Sequence, residues 1–374
     1  INASNSSANA YGIFLDTRAD NNSIAGNAIS TGGTAERNYG IYLFTMVKGN
    51  NIAGNYINTS GTSYNFGIYL YTDVFNNNVS NNFINISGSF DNYGIHLQTR
   101  ASNNTLTANS ISTGGSISAN YGMLIQDVSI GNNITHNYIN TSGTSSNFGI
   151  YLTNNVFSNN VSNNFINTSG TTTNYGIHLE TRADNNTITA NSISTGGTND
   201  NYGIYLLTNN MRNNITHNYI NTSGTSSNFG ISLQNGAHQN NISFNVIRTS
   251  GATISTVTNY GINIASSSNN TFVSNIINNS HGSAIRLSSN YANNNTFVNN
   301  TIVSNTSWYD FDVSVGGIND TWIVDMPLRN YSFTGQGGIV NFKNSTMGQI
   351  EFLQQINGSG AMLFGNASAA VRIL

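Results

Sequence analysis

Apolar residues along this chain fall into three short alternating stretches that return about every 27 residues. In one repeat the first stretch is Tyr39-Gly40-Ile41-Tyr42-Leu43, the second Asn51-Ile52-Ala53-Gly54 and the third Asn55-Tyr56-Ile57-Asn58. Alternation with period two puts Tyr39, Ile41 and Leu43 on one face with Tyr42 opposite. By the same rule Asn55 and Ile57 share a face and Tyr56 points away. No two-residue turn joins the stretches, so they do not pair as hairpins within a repeat. Each pairs instead with its counterpart in the next repeat, in parallel and in register. Three strands per turn predict an all-β fold, a right-handed single-stranded parallel β-helix of about 12 coils.

An Asn-x-Ile motif marks every coil, at Asn27, Asn55, Asn82, Asn109, Asn137, Asn164, Asn191, Asn218, Asn245, Asn275 and Asn300. In the first nine coils it lies 16 residues after an aromatic-Gly pair, from Tyr11-Gly12 to Phe229-Gly230, so length varies only between the asparagine and the next aromatic. A side-chain amide both donates and accepts, and identical amides stacked about 4.8 Å apart form a continuous ladder. These asparagines are therefore placed inside, as scaffold. Glycine recurs after the third stretch, at Gly33, Gly61, Gly88, Gly115, Gly143, Gly170, Gly197, Gly224 and Gly251, where a turn of positive φ is the simplest cause.

The unit NYGIYLLTNNMRNNITHNYINTSG at residues 201–224 resembles the repeats of NosD-like and pectate-lyase-like parallel β-helix proteins, and most of all those of Asn-rich archaeal cell-surface proteins. The resemblance covers roughly residues 1–307. It implies the fold strongly and an activity weakly, because that superfamily holds lyases, hydrolases, adhesins and structural proteins alike.

A second period lies inside the first. The coils beginning at Tyr11, Tyr93 and Tyr175 are closer to each other than to their neighbours, which gives a super-repeat of 82 residues, or three coils. Surface features then recur about every 14 Å. Tandem triplication accounts for this, and so does selection for a surface that meets identical neighbours at fixed spacing. Outward positions include Tyr42, Tyr69, Tyr151 and Tyr205 on the first strand and Tyr56, Phe83, Tyr138, Phe165 and Tyr219 on the third. Aromatic side chains on an outer face point to a partner, either another subunit or a sugar ring stacking on tyrosine.

Only 7% of residues are charged and the net charge is −3, which leaves no basic footprint for nucleic acid. The chain has no cysteine, hence no disulfide and no thiolate chemistry. No apolar run is long enough to span a membrane. No cofactor or metal is expected: His136 and His217 are three coils apart, and Asp16 and Glu180, at equivalent positions, are six coils apart. Neither pair can meet, so paired carboxylates for glycoside hydrolysis are unsupported. Arg18 with Asp20, and Arg182 with Asp184, read as exposed ion pairs. Candidate N-glycosylation sites are Asn58, Asn85, Asn140, Asn167 and Asn221, placed on the exposed turn after the third strand, where glycans would supply the solubility that charge does not.

The β-helix is expected over residues 1–313, with irregular coils after residue 250 and an insertion near Thr253–Thr258. Residues 314–374 drop the asparagine pattern and read as a β-rich cap or a docking segment. The first residues match the end of a third strand, so the chain is expected to start in mid-coil with an open edge. Together these features favour an extracellular structural protein that assembles with copies of itself into a filament, sheath or surface layer. A glycan-binding adhesin of cell-surface polysaccharide is the alternative, and a polysaccharide lyase or hydrolase a further one.

Overall fold

The computed structural model describes residues 1–4, 9–33, 37–251, 259–289, 291–304, 308–313, 318–333, 338–352, 361–365 and 368–373. The chain divides into two compact units, Ile1–Thr198 and Asn199–Leu374. The described residues form parallel β-solenoid coils of about 27 residues, about 11 in all rather than the expected 12, and contain no helix. The insertion near Thr253–Thr258 lies outside the described residues.

In the first unit the first and third strands share one sheet, and the short second strands, such as Asn51–Ala53 and Asn78–Ser80, form another. Three separate strands per coil were expected. From Phe83 onward the third strand instead runs into the next first strand, giving single bent strands at Phe83–Leu97, Ser110–Gln126, Tyr138–Thr153 and Phe165–Glu180. The linking residues keep bonding to the coil below, as Phe90 N does to the Thr62 carbonyl at 3.1 Å, so the ladder is not interrupted at the corner. Register is strict: Tyr56 pairs with Phe83, Phe83 with Ser110, Ser110 with Tyr138 and Tyr138 with Phe165. Ile41, Leu43, Ile52 and Ile57 are wholly buried, and their counterparts stack above them.

The Asn-x-Ile amides are held as few polar groups are. Asn82 Nδ2 donates to Asn109 Oδ1 at 3.0 Å and to the Ile52 carbonyl at 2.9 Å. Asn82 Oδ1 accepts from Asn55 N at 3.0 Å and from Asn55 Nδ2 at 2.9 Å. Every hydrogen-bonding capacity of the amide is filled in the interior. Two further ladders lie alongside: Asn50, Asn77, Asn104 and Asn132 form one, and Asn38, Asn65, Asn92 and Asn120 another. The residue before each corner asparagine is left-handed, as at Asn76, Asn81, Asn103, Ala108 and His136. Each corner is thus a left-handed residue followed by a buried amide.

Among the glycines after the third strand Gly33 has a positive φ, of 155°, but positive φ does not explain the others. Gly61, Gly88, Gly115, Gly143, Gly170 and Gly251 are absent from the left-handed region, and close approach is the reason for them. A Cβ on Gly61 would sit 2.2 Å from Asn38 Nδ2 and 2.7 Å from Asn65 Oδ1, blocking the third amide ladder.

In the second unit the coils are less regular. Asn228–Gln234 pairs with Asn259–Ala265, which pairs with Ile285–Leu287, and that in turn with Phe311–Val313. Pro327–Phe333, Thr346–Phe352 and Ser368–Ile373 add to this series in parallel, so the residues expected to cap or dock contribute further parallel strands. Arg329 lies on the buried Asp310 carboxylate, with Nη2 3.0 Å from Oδ1 and its backbone N donating to Oδ2 at 2.6 Å.

Replacing one ladder amide tests how much it contributes. Asn82→Leu keeps the volume but removes the acceptor of Asn55 N, one of the two acceptors of Asn55 Nδ2 and the side-chain donor to the Ile52 carbonyl. It is expected to destabilise the chain by about 3 kcal/mol or more. Urea or thermal unfolding showing a loss under about 1 kcal/mol would contradict the burial described.

Candidate functional site

The aromatic-Gly pair builds the most distinctive surface of the first unit. A Cβ on Gly40 would lie 2.3 Å from Ile57 Cγ2 and 2.5 Å from the Gly67 carbonyl, so glycine lets the strand press onto the core there. The residues on either side are thrown to the same side. Tyr39 and Tyr42 stack at 4.7 Å between ring centroids, whereas strict alternation places Tyr39 inside with Ile41 and Leu43. Two parallel columns of rings follow. Tyr39, Phe66 and Tyr93 stack at 5.0 and 4.9 Å, and Tyr42, Tyr69 and His96 at 5.0 and 4.7 Å.

These columns floor a groove of about 590 Å³. Arg37 and Tyr64 stand on one side, with the guanidinium 5.8 Å from the Tyr64 ring centroid. Phe44, Tyr71, Gln98 and Gln126 complete the lining. Tyr69 donates its hydroxyl to Gln98 Oε1, and Gln98 Nε2 donates to Asp127 Oδ2 at 3.0 Å, which fixes the Gln98 amide. Burial pushes the Tyr39 phenol up to about 12, against the opposing pull of Arg37. Burial likewise raises Tyr42, Tyr69 and Tyr93 well above the ordinary phenol range. All four are neutral hydroxyl donors at physiological pH. His96 is 5% exposed, burial holds it down to about 3, and neither ring nitrogen has a hydrogen-bond partner.

Several sequence expectations change here. Tyr42, Tyr69 and Tyr205, placed on the outer surface, are only 7–8% exposed; rings of the adjacent coils cover Tyr42 and Tyr69 from above and below, and Tyr205 packs edge-on against Tyr202. Tyr151 is half-buried, its hydroxyl donated to Glu180 Oε2, while Tyr205 donates to Gln234 Oε1 at 3.1 Å. The third-strand residues Tyr56, Phe83, Tyr138, Phe165 and Tyr219 are 40–51% exposed. Tyr56 stacks on Phe83 at 5.0 Å and Tyr138 on Phe165 at 5.2 Å.

Asn58, Asn85, Asn140, Asn167 and Asn221 lie within third strands, not on an exposed turn, and all are half-buried. Asn85 Nδ2 donates to Asn58 Oδ1 at 3.0 Å and Asn167 Nδ2 to Asn140 Oδ1 at 2.8 Å, because counterparts in adjacent coils come within ladder distance. The expected Arg18–Asp20 pair is also replaced. Asp20 accepts from Lys48 N at 2.9 Å, and Arg100 grips Asp73 in the coil below at 2.6 and 2.7 Å, holding that carboxyl below its usual range. His136 and His217 occupy left-handed corner positions, and among the described residues no group of acids, histidines or cysteines could hold a metal ion.

The groove-wall residues Arg37, Phe44, Tyr64 and Tyr71 escaped sequence reasoning. The available signal was the spacing of aromatics across glycine, Tyr39 to Tyr42 and Phe66 to Tyr69, which breaks period two and marks a shared side.

No protein-family model matches the sequence, and no curated protein sequence matches it. Among solved structures, a chain of the Vag8–C1 inhibitor complex is similar with a TM-score of 0.61 at 14% identity, covering 98% of this chain and 97% of that one. The periplasmic alginate epimerase AlgG gives 0.48 at 12% identity over 93% and 77%, and the A-module of the Azotobacter vinelandii mannuronan C-5 epimerase AlgE6 gives 0.47 at 11% over 93% and 90%. At such identities the likeness is one of fold, and the class it defines is the parallel β-helix.

His96 and His178 are both buried and held near pKa 3, below the ordinary 6.5. Above pH 6.5 neither folded nor unfolded chain binds the proton, so the two histidines leave stability unchanged. Between 6.5 and 3 only the unfolded chain binds it, and stability falls with pH by roughly 1.4 kcal/mol per unit for each histidine. Acid unfolding of His96→Phe is expected to be correspondingly shallower than that of the wild type over this window. Identical profiles would show that His96 titrates freely.

Proposed function

We propose that this chain is an extracellular β-helix protein that holds a polysaccharide in the groove over Tyr42, Tyr69 and His96 without cleaving it. The observation that carries this reading is the lining itself: six tyrosines, one arginine, two glutamine amides and an imidazole around one open groove. Amphipathic rings with planar amide and guanidinium donors suit hydroxyl-rich ligands. Among the described lining residues there is no carboxylate, and hydrolysis of a glycosidic bond ordinarily uses two. No described helix is long and apolar enough to cross a membrane. N-glycans are assigned to Asn58, Asn140 and Asn221, whose Nδ2 atoms are not donated to another coil.

Affinity electrophoresis of the whole chain through gels containing glucomannan, xylan, glycogen, alginate or hyaluronate tests the reading. At least one polymer is expected to retard the wild type, and Phe44→Ala with Tyr64→Ala to weaken that binding about tenfold, or roughly 1.4 kcal/mol. Unretarded migration in every gel would end the proposal.

A second reading, assembly with copies of itself into a filament, sheath or layer, is favoured by the exposed third-strand rings. Two stacked pairs, Tyr56–Phe83 and Tyr138–Phe165, stand half-exposed on one outer face of the first unit. Sedimentation and electron microscopy at micromolar concentration are expected to show polymers that a Tyr56→Ser, Phe83→Ser, Tyr138→Ser, Phe165→Ser variant cannot form. A monodisperse wild-type monomer would remove this reading.

A further inference from the structure

One corner of the first unit changes what it shows to solvent from coil to coil. Its inner side is the amide ladder that runs from Asn22 through Asn50, Asn77, Asn104, Asn132 and Asn159 to Asn186, with steps of 3.0 to 3.2 Å. The residue before each of these amides forms the tip of the corner and is left-handed, a conformation that glycine and asparagine adopt with least strain. Backbone conformation alone therefore accounts for Gly49, Asn76 and Gly131 at the tip. It accounts equally for Asn21, Asn103 and Asn185, whose φ angles are 58°, 55° and 53°.

Conformation does not account for the residue two places further on. After Asn21, Asn103 and Asn185 the second strand opens with a hydroxyl, Ser23, Thr105 or Thr187. In the four coils between, it opens with asparagine, and these asparagines pair across coils: Asn78 Nδ2 donates to Asn51 Oδ1 at 2.8 Å and Asn160 Nδ2 to Asn133 Oδ1 at 2.7 Å. A hydroxyl here forgoes that bond. Tip asparagine and hydroxyl thus occur together, as Asn-x-Ser/Thr, once in every 82-residue super-repeat. The tip amides are also accessible. Asn21, Asn103 and Asn185 are exposed, and among the described residues none accepts from their Nδ2 atoms. A Cβ on Gly49 would lie 2.5 Å from Asn21 Oδ1, and one on Gly131 2.5 Å from Asn103 Oδ1, so the next coil leaves these two side chains room.

We propose that Asn21, Asn103 and Asn185 are N-glycosylation sites that set glycans about 14 Å apart along one corner of the first unit. The donor is an oligosaccharide carried on a lipid diphosphate. Nδ2 forms a bond to the anomeric carbon of the first sugar, the bond from that carbon to the diphosphate breaks, lipid diphosphate leaves and one amide proton is released. An Nδ2 already donated to a neighbouring coil must give up that bond first, which separates these three from Asn78, Asn85, Asn160 and Asn167. Only 7% of the residues are charged, and hydrated chains along the corner add solubility that charge does not. The three sites are independent of what the groove binds.

The test treats the whole folded chain with a purified oligosaccharyl transferase and a lipid-diphosphate-linked oligosaccharide, and locates the glycans by mass spectrometry of peptides. Asn21, Asn103 and Asn185 are expected to be modified roughly tenfold more than Asn85 and Asn160, whose amides must each first break a hydrogen bond. Thr105→Val is expected to lose the glycan at Asn103 alone. Asn103→Gly is expected to lose the same glycan and to melt like the wild type, since Gly49 and Gly131 form that tip in other coils. Folded chain left unmodified at Asn21, Asn103 and Asn185 overturns the proposal, as does modification of Asn85 or Asn160 to the same extent. A Thr105→Val chain that keeps its glycan at Asn103 overturns it too. None of these results touches the groove, whose ligand is decided by the gels.

Discussion

A buried primary amide that has every hydrogen bond filled by copies of itself is the interaction on which this molecule depends. Burying an amide in an apolar interior costs several kcal/mol when its partners are lost. Here Asn82 loses none: two donors and two acceptances are all met by the coils on either side. The ladder only works if each coil rises by the same step and places its asparagine at the same corner. That requirement explains the constant 16-residue spacing from aromatic to asparagine and the left-handed residue before the amides of the Asn55–Asn82 and Asn50–Asn77 ladders. It also explains why glycine stands where the Asn38–Asn65 ladder passes closest to the next coil.

The same repetition produces the groove. Once coils stack in register, equal residues meet equal residues, and aromatics at one position become a column. Column formation hides ring faces. His96 then sits at the end of the Tyr42–Tyr69 stack with neither ring nitrogen hydrogen-bonded.

Much of this was legible in the residues. Parallel coils, the inward asparagine ladder and the three-coil period all follow from spacing. The misplacements share one physical origin, which is that a rule for an isolated strand ignores its neighbours. Tyr39 was assigned inward by alternation, yet Gly40 presses against Ile57 and shifts the phase. Tyr42 and Tyr69 were assigned outward and are, but stacked neighbours bury them. Asn85 read as a turn residue because it lies in a Ser- and Gly-rich stretch, and the pairing of that stretch with Asn58 one coil below makes it a strand.

Sequence by itself determined the repeat, and through it the fold class, because a self-stacking amide ladder and period-two apolar residues are local patterns that any counting reveals. Tertiary structure alone decided which outward aromatics form a groove and which remain exposed. The first-strand rings share their side with those three residues away and are walled by Arg37, Tyr64, Phe44 and Tyr71, whereas Tyr56 and Phe83 stand on a strand with no such neighbours. That difference comes from residues brought together across coils about 27 positions apart, a distance over which no local rule in the sequence operates.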